Sequence, residues 1–346
     1  MNKKTAAAVR FGIRLAGVSL AAAVLVACAT APPYIHPSHS EIPPHVQEII
    51  AGRSTLRVDE LGYDREDSYR YLQAAFDTDA EVVIIPASPG PWVTSEQLSL
   101  PSDKIIVLEP GAQVVAKRGY FHDRGEKLMR GSSIDNLQVY GYGAELRMWK
   151  DDFQRFPYEQ SQHRHSVALY GAHNTLIEGL TIYGSGGDGI YLGADHGRDR
   201  SYNYNVTLRN LYIFDHHRQG ISVISADRLL IENVQIDNTT GTLPEAAIDF
   251  EPNRAHEQLT RIVVRNLYAR FNAGPGILVY LQHLDETSLP VDIRIEDSLL
   301  RWNWVGVSVM GMRNNPQGSI ELHNVRSGFP NFIWTPSARR MVERSR

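Results

Sequence analysis

The 346-residue sequence has one cysteine, Cys28, so no internal disulfide can form and no Cys-rich metal site can be built. Lysine is absent after Lys150, and the longest apolar run, Leu15 to Ala27, has 13 residues where a membrane-spanning helix needs about 20. Beyond residue 80 helix-period patterning is scarce. The composition itself is globular: 42% hydrophobic and 21% charged residues exclude a disordered or collagen-like polymer. The formal charge of −4 includes Lys3, Lys4, Arg10 and Arg14, with no acid among the first 27 residues, and becomes −8 without those four cations. Such an acidic body lacks the clustered positive field on which phosphate neutralisation depends, which argues against nucleic acid as a partner.

Residues 1–14 are basic and the apolar stretch follows, the order of a secretory signal. Leu25-Val26-Ala27-Cys28 resembles the lipobox of bacterial lipoproteins. That resemblance implies removal of residues 1–27, lipidation of Cys28 and attachment to the membrane. With Ala29 rather than Asp next, it points to the outer membrane in a Gram-negative cell. Residues 28–50 contain Pro32, Pro33, Pro37, Pro43 and Pro44 and read as a semi-rigid tether. A folded domain is expected over 51–335 and a basic tail over 336–346. Tyr69, Leu72, Ala75 and Phe76 recur at helical spacing behind Asp64-Arg-Glu-Asp67, which predicts one short helix.

From residue 81 onward, short Val/Ile/Leu strands alternate with Gly, Asn and Pro. They repeat. Val139, Ile177, Leu208, Ile231, Val264, Ile295 and Leu322 hold the same place in successive strands. A second series, Ile190, Ile221, Ile248, Ile277 and Val307, runs in phase between them. Two interleaved series with steps of 20 to 40 residues predict an all-β solenoid, each coil pairing in parallel with the next about 4.8 Å away. Alternation turns Ile190, Leu192, Ile221 and Val223 inward, and Tyr191, Ser222, Asp249, Leu278 and Ser308 outward in one row.

The stretch Leu72-Gln-Ala-Ala-Phe76, Val82-Val-Ile-Ile-Pro86, Leu98-Ser-Leu-Pro-Ser102 and Val107-Leu-Glu-Pro-Gly-Ala112 resembles the cap and first coils of the pectin-lyase-like superfamily. The resemblance covers about residues 56 to 330. It implies a single right-handed parallel β-helix with a short N-terminal capping helix. The superfamily holds polygalacturonases, pectate lyases, alginate epimerases and noncatalytic modules, so fold does not fix the reaction.

Charge falls at the outward row in three segments on successive coils: Gly186-Gly-Asp188, Asp215-His-His217-Arg218-Gln219, and Asp249-Phe-Glu251. Asp188, Asp249 and Glu251 are the candidate catalytic carboxyls. Asp188 and Asp249 lie two coils apart, about 9 to 10 Å, and Asp249 and Glu251 two residues apart, about 6.5 Å. Both spacings are near the gap that admits a water in an inverting glycosidase, provided one carboxyl stays protonated. Arg164, His165, Tyr191, His217, Arg218 and Gln219 are the candidate substrate-binding side chains. Asp188-Gly-Ile190 resembles part of the polygalacturonase motif, but Gly186 and Gly187 replace its Asn-Thr, which weighs against pectin hydrolysis. The lack of lysine after Lys150 argues against a lysine base of the alginate-lyase kind on these coils.

Gly184-Ser-Gly-Gly-Asp-Gly189 fits a dinucleotide motif, yet a strand follows it where that mechanism needs a helix. His163-x-His165 and His216-His217 have no third ligand at a fixed spacing, so no metal or cofactor is expected, with calcium at an Asp-rich corner left open. The expected protein is a monomeric, lipid-anchored glycoside hydrolase acting on a polysaccharide or oligosaccharide. The alternatives are a uronate lyase or epimerase, and a noncatalytic glycan-binding solenoid.

Overall fold

The computed structural model describes residues 40–345 except 88–89, 199 and 329–330, so the leader, Cys28 and most of the expected tether lie outside the described residues. The fold is a right-handed parallel β-helix. Among the described residues, nine strands stack in parallel to form a front sheet, from Leu98–Ser99 through Met129–Ser132, Val167–Tyr170, Ile190–Gly193, Ile221–Val223, Ile248–Phe250, Pro275–Tyr280 and Val305–Met310 to Phe332–Trp334. Seventeen others make the two remaining walls as one continuous sheet. The repeat read from sequence is the pairing register: Val139, Ile177, Leu208, Ile231, Val264, Ile295 and Leu322 stand opposite one another in turn. Ile190, Ile221, Ile248, Ile277 and Val307 do the same on the front sheet.

Asparagine explains how the chain turns corners. In the long strands Asn203–Phe214, Ala226–Asp237 and Leu259–Arg270 the backbone bends at Asn210, Asn233 and Asn266, with φ of 56°, 53° and 53°. Asn tolerates this left-handed conformation better than other side chains bearing a Cβ. Stacking then lets Asn233 donate to Asn210 at 3.1 Å and Asn266 to Asn233 at 2.6 Å, so each coil satisfies the amide of the next. Inward side chains form one continuous core that includes Ile190, Leu192, Ile221, Val223, Ile248 and Phe250. Each such burial is worth about 1.5 to 3 kcal/mol.

Two expected boundaries change. Residues 44–50 are not tether but helix α1 (Pro44–Ile50), because Val46, Ile49 and Ile50 fall on one helical face. Val46 is buried against Val82, Ile105, Val107, Tyr140 and Tyr142 on the outside of the wall. The short helix α2 (Val58–Leu61) follows, and the helix expected from Tyr69 spacing is α3 (Tyr69–Phe76), burying Leu72, Ala75 and Phe76 over the first coil. At the other end the described part of the expected tail, residues 336–345, is not free. Val342–Ser345 pairs with Gly318–His323, and Ala338 and Met341 are buried, so this segment closes the last coil. No helix among the described residues is long and apolar enough to cross a membrane.

Candidate active site

The candidate residues gather where turns lead into the front sheet. Lys127, His165, Asp188 and Gln219 each stand two residues before a strand residue in one register, Met129, Val167, Ile190 and Ile221. They therefore form a row that climbs one coil per step. The outward row beside them also follows the register: Tyr191 faces Ser222, Ser222 faces Asp249, and Asp249 faces Leu278.

One hydrogen-bonded network joins Asp188, Arg218, Gln219, Asp249 and Glu251. Asp188 Oδ1 accepts the Gln219 N–H at 3.1 Å, and the Gln219 side chain donates to Asp249 Oδ2 at 3.0 Å while accepting from the Ala246 N–H at 2.6 Å. Arg218 Nη2 donates to Glu251 Oε2 at 2.9 Å, and its Nη1 lies 3.5 Å from Asp188 Oδ2. Asp188 and Asp249 are fully buried, whereas the side chains of Arg218 and Glu251 are 12% and 24% exposed. Of the three carboxyls, Glu251 alone reaches solvent.

Burial raises the two enclosed carboxyls, Asp188 and Asp249. It pushes the Asp188 carboxyl up to about 6, with Arg218, the Ser222 hydroxyl and the Gln219 N–H holding it back. Asp249 is pushed well above the usual carboxylate range by burial first and by the neighbouring Glu251 second. Their carboxyls lie within hydrogen-bonding reach, which corrects the 6.5 Å spacing expected from an extended strand: Glu251 follows the strand's last residue, Phe250, and its side chain turns back onto Asp249. No protein group donates to Asp249 Oδ1, as fits an oxygen that carries the proton toward Glu251. Two touching carboxyls cannot flank a glycosidic bond, since even retaining glycosidases separate theirs by about 5 Å. Asp249 and Glu251 thus form one acidic dyad, and Asp188 stands across Arg218 from it. The backbones of Asp188 and Asp249 keep the expected two-coil separation in register, through Ile190, Ile221 and Ile248.

Several other expected contacts resolve differently. Arg164 does not face substrate: it is fully buried, donating to Phe121 O at 2.7 Å, His122 O at 2.5 Å and Glu159 O at 2.8 Å, and so ties the loops before the site together. His165 is buried and stacks on Tyr191 at 4.6 Å, while its Nδ1 accepts the Asp188 N–H at 2.9 Å. Burial keeps the ring neutral, so its 3.3 Å approach to Asp188 Oδ2 is no ion pair. It positions Asp188. Gln219 is buried too and links the carboxyls rather than offering a surface to sugar. His217 meets Thr242 Oγ1 at 2.8 Å on the wall of an open cleft of about 300 Å³, shared with Arg124 and the 160–163 loop. His216 is held near 3 by burial and fixes Ser185 at the corner. Among the described residues no group of three or more His, Cys, Asp or Glu side chains could hold a metal.

Sequence reasoning missed Lys127. Considering only the chain after Lys150 overlooked a lysine on an earlier coil, in the same row as Asp188. Burial, and then Arg130, lowers its ammonium to about 8, with Asp188 opposing. It lies 6.0 Å from the Tyr170 ring centre. Two buried polar atoms of the site, Asp188 Oδ2 and Arg218 Nε, make no well-formed hydrogen bond within the protein. Buried polar groups are nearly always satisfied, so capacity of this kind in one place suits a polar guest.

A family model described as a right-handed beta helix region matches residues 158–319. No curated protein matches the chain. Among solved structures, the chain is similar to the iota-carrageenase of A. fortis, at 13% identity over 81% of this chain and 62% of that one, with a TM-score of 0.58. It is also similar to a mutant tailspike protein of the E. coli bacteriophage HK620, at 13% identity over 94% and 62%, TM-score 0.57. An alginate lyase from Paenibacillus sp. FPU-7 aligns at 13% identity over 84% and 99%, TM-score 0.52. The chain thus spans about three fifths of the carrageenase and tailspike and almost all of the lyase. At these identities the likeness is one of fold.

Proposed function

We propose that this protein is a carbohydrate-active enzyme that hydrolyses glycosidic bonds of a polysaccharide or oligosaccharide with the Asp249–Glu251 dyad and Asp188. The observation that carries the reading is a buried Asp188 and an Asp249–Glu251 pair held on either side of Arg218, which lies 3.5 Å from Asp188 Oδ2 and 2.9 Å from Glu251 Oε2. Burial and the neighbouring Glu251 favour the protonated form of Asp249, whereas Asp188, at about 6, has lost most of its proton at neutral pH. Glu251, the exposed member, hands the dyad's proton to the leaving oxygen, and Asp249 resupplies it. Asp188 accepts the proton of the attacking water, for which its Oδ2 has free hydrogen-bonding capacity. Arg218 fixes both carboxyls and turns Nε toward a sugar oxygen. The similar structures whose names describe a carrageenase and an alginate lyase support glycans as the substrate class.

A second reading, β-elimination from a uronate, rests on Lys127. A lysine at about 8 can act as a base, and Arg130 beside it can neutralise a uronate carboxylate. One assay separates the readings. Purified protein is incubated with a panel of neutral and anionic glycans while new reducing ends and unsaturated-uronate absorbance are followed together. Hydrolysis gives reducing ends alone, elimination gives both, and neither signal on any glycan overturns the enzymatic reading in favour of a binding solenoid. We further propose lipidation at Cys28 and residence in the bacterial cell envelope. Cys28→Ser should then move the protein from the detergent to the aqueous phase on partitioning, because the acyl chains supply the membrane affinity.

A further inference from the structure

Exposed apolar side chains are concentrated on one edge of the solenoid. Tyr120, Phe156, Leu243, Phe271, Trp302 and Trp304 all lie in turns that lead into the front sheet, on the wall that also carries the cleft beside His217. Phe271 and Trp302 belong to a corner row. The positions in register after Phe214, Asp237, Arg270 and Arg301 are Asp215, Asn238, Phe271 and Trp302, with φ of 59°, 60°, 56° and 55°. Asp and Asn suit this left-handed conformation and bulky aromatics do not. Yet the next two coils place there a Phe that is 52% exposed and a Trp that is 58% exposed, rings stacked 4.9 Å apart and 8° from parallel. Trp304, 56% exposed, follows in the same turn. An Asn at either position would close the corner with less strain and without apolar surface, so fold stability does not account for the aromatics.

We propose that Phe271, Trp302 and Trp304 form a distal subsite that holds a long glycan running along the solenoid axis from the Asp188–Glu251 site. This rests on the glycan-active reading above. Three features select a glycan over a second copy of the chain or a lipid surface. The patch stands in the same column of turns as His217 and Arg218, one turn above another along the solenoid axis. Its rings alternate with guanidinium groups, Arg270 at 5.7 Å from the Phe271 ring centre and Arg301 at 6.0 Å from that of Trp302, which suits the apolar faces and hydroxyl rims of sugars. Phe271 and Trp302 also lie one and two coils beyond Asp249, and a coil rise of about 4.8 Å is close to the length of one pyranose in an extended chain.

The test uses the full chain and the double variant Phe271→Asn/Trp302→Asn, whose new side chains fit the corner. Electrophoresis through gels containing alginate, polygalacturonate, iota-carrageenan or a neutral glucan reads affinity for long chains. Cleavage of short oligosaccharides reads the catalytic site separately. Wild type should be retarded by at least one polymer, and the double variant should bind that polymer about tenfold more weakly, as expected for losing two aromatic contacts, with short-substrate turnover and Tm preserved. Equal retardation of both proteins, or of neither, overturns the distal subsite. Short-substrate cleavage that persists leaves the hydrolase reading standing, and its absence sinks that reading on its own. A wild-type dimer, or binding to anionic lipid vesicles, that the double variant abolishes while retardation is unchanged assigns the patch to another partner and likewise overturns the subsite.

Discussion

Asp188→Asn should raise the stability of the folded protein while abolishing most of its activity. In the native state the Asp188 carboxyl titrates at about 6, against 3.8 in a solvated chain, because it is fully buried. The native state therefore binds more protons than the unfolded state between about pH 4 and 6, and stability falls as pH rises through that window. Two units correspond to about 3 kcal/mol at 1.36 kcal/mol per unit. Asn keeps Oδ1 as the acceptor for the Gln219 N–H and discards the buried charge, but it also discards the attraction of Arg218, so a net gain of about 1 to 3 kcal/mol is expected at pH 7. Thermal unfolding across pH 4 to 8 reads this directly. The wild type should lose stability as pH rises through the window, and the variant should show less of that loss, Asp249 contributing the remainder with the same sign. Turnover should drop at least about a hundredfold. A variant less stable than wild type at pH 7 would show that Asp188 is a corner residue bonding backbone, and would refute its assignment as an ionised base.

The coil-by-coil register was legible because parallel stacking repeats one chemical environment every coil. Ile177, Leu208, Ile231 and Val264 must all fill the same interior slot, and a one-residue slip would turn each outward. The corner asparagines were visible as residues, but their ladder of side-chain bonds follows only from stacking. The two ends were less legible. A terminal coil must be covered by something that does not repeat, so the last coil's strand Val342–Ser345 looked like a basic tail. Pro43 and Pro44 likewise masked a helix that begins at a proline, a residue well suited to the first helical turn.

Of the candidate residues named from sequence, Asp188, Arg218, Asp249 and Glu251 are brought together by the structure in one network. Sequence reading did not separate those that touch solvent from those that hold others in place, because the outward row is roofed by neighbouring turns and side chains. Asp249, Ser222 and Gln219 face outward from the core and are nonetheless buried. Arg164 illustrates the same limit: a lone arginine one coil before an aspartate reads as a substrate contact, yet here it serves three carbonyls of the loops before it. Lys127 escaped notice because its pairing with the Asp188 row emerges only once Met129, Val167 and Ile190 are aligned across irregular turns.

Asp249→Asn and Glu251→Gln should each cost at least about a hundredfold in turnover on a cleaved glycan, the lower range for losing a general acid, with Asp249→Asn leaving Tm unchanged or higher; near-normal hydrolysis by both would show the dyad to be structural. Arg164→Met should cost about 2 to 4 kcal/mol by removing the charged donor shared by Phe121 O, His122 O and Glu159 O, seen as a lower Tm, and an unchanged Tm would restore Arg164 as a free contact. Lys127→Met separates the two chemistries through their pH dependence. Hydrolysis needs Asp188 ionised, so its rate should climb through about pH 6 and survive the loss of Lys127 to within about tenfold. Because Lys127 attracts the Asp188 carboxylate, that acidic limb should also move to higher pH in the variant. Elimination with Lys127 as base needs the neutral amine, so its rate would climb through about pH 8 and collapse in Lys127→Met. A rate limb near pH 8 that vanishes with the lysine would therefore overturn hydrolysis and assign the proton transfer to the other end of the same row.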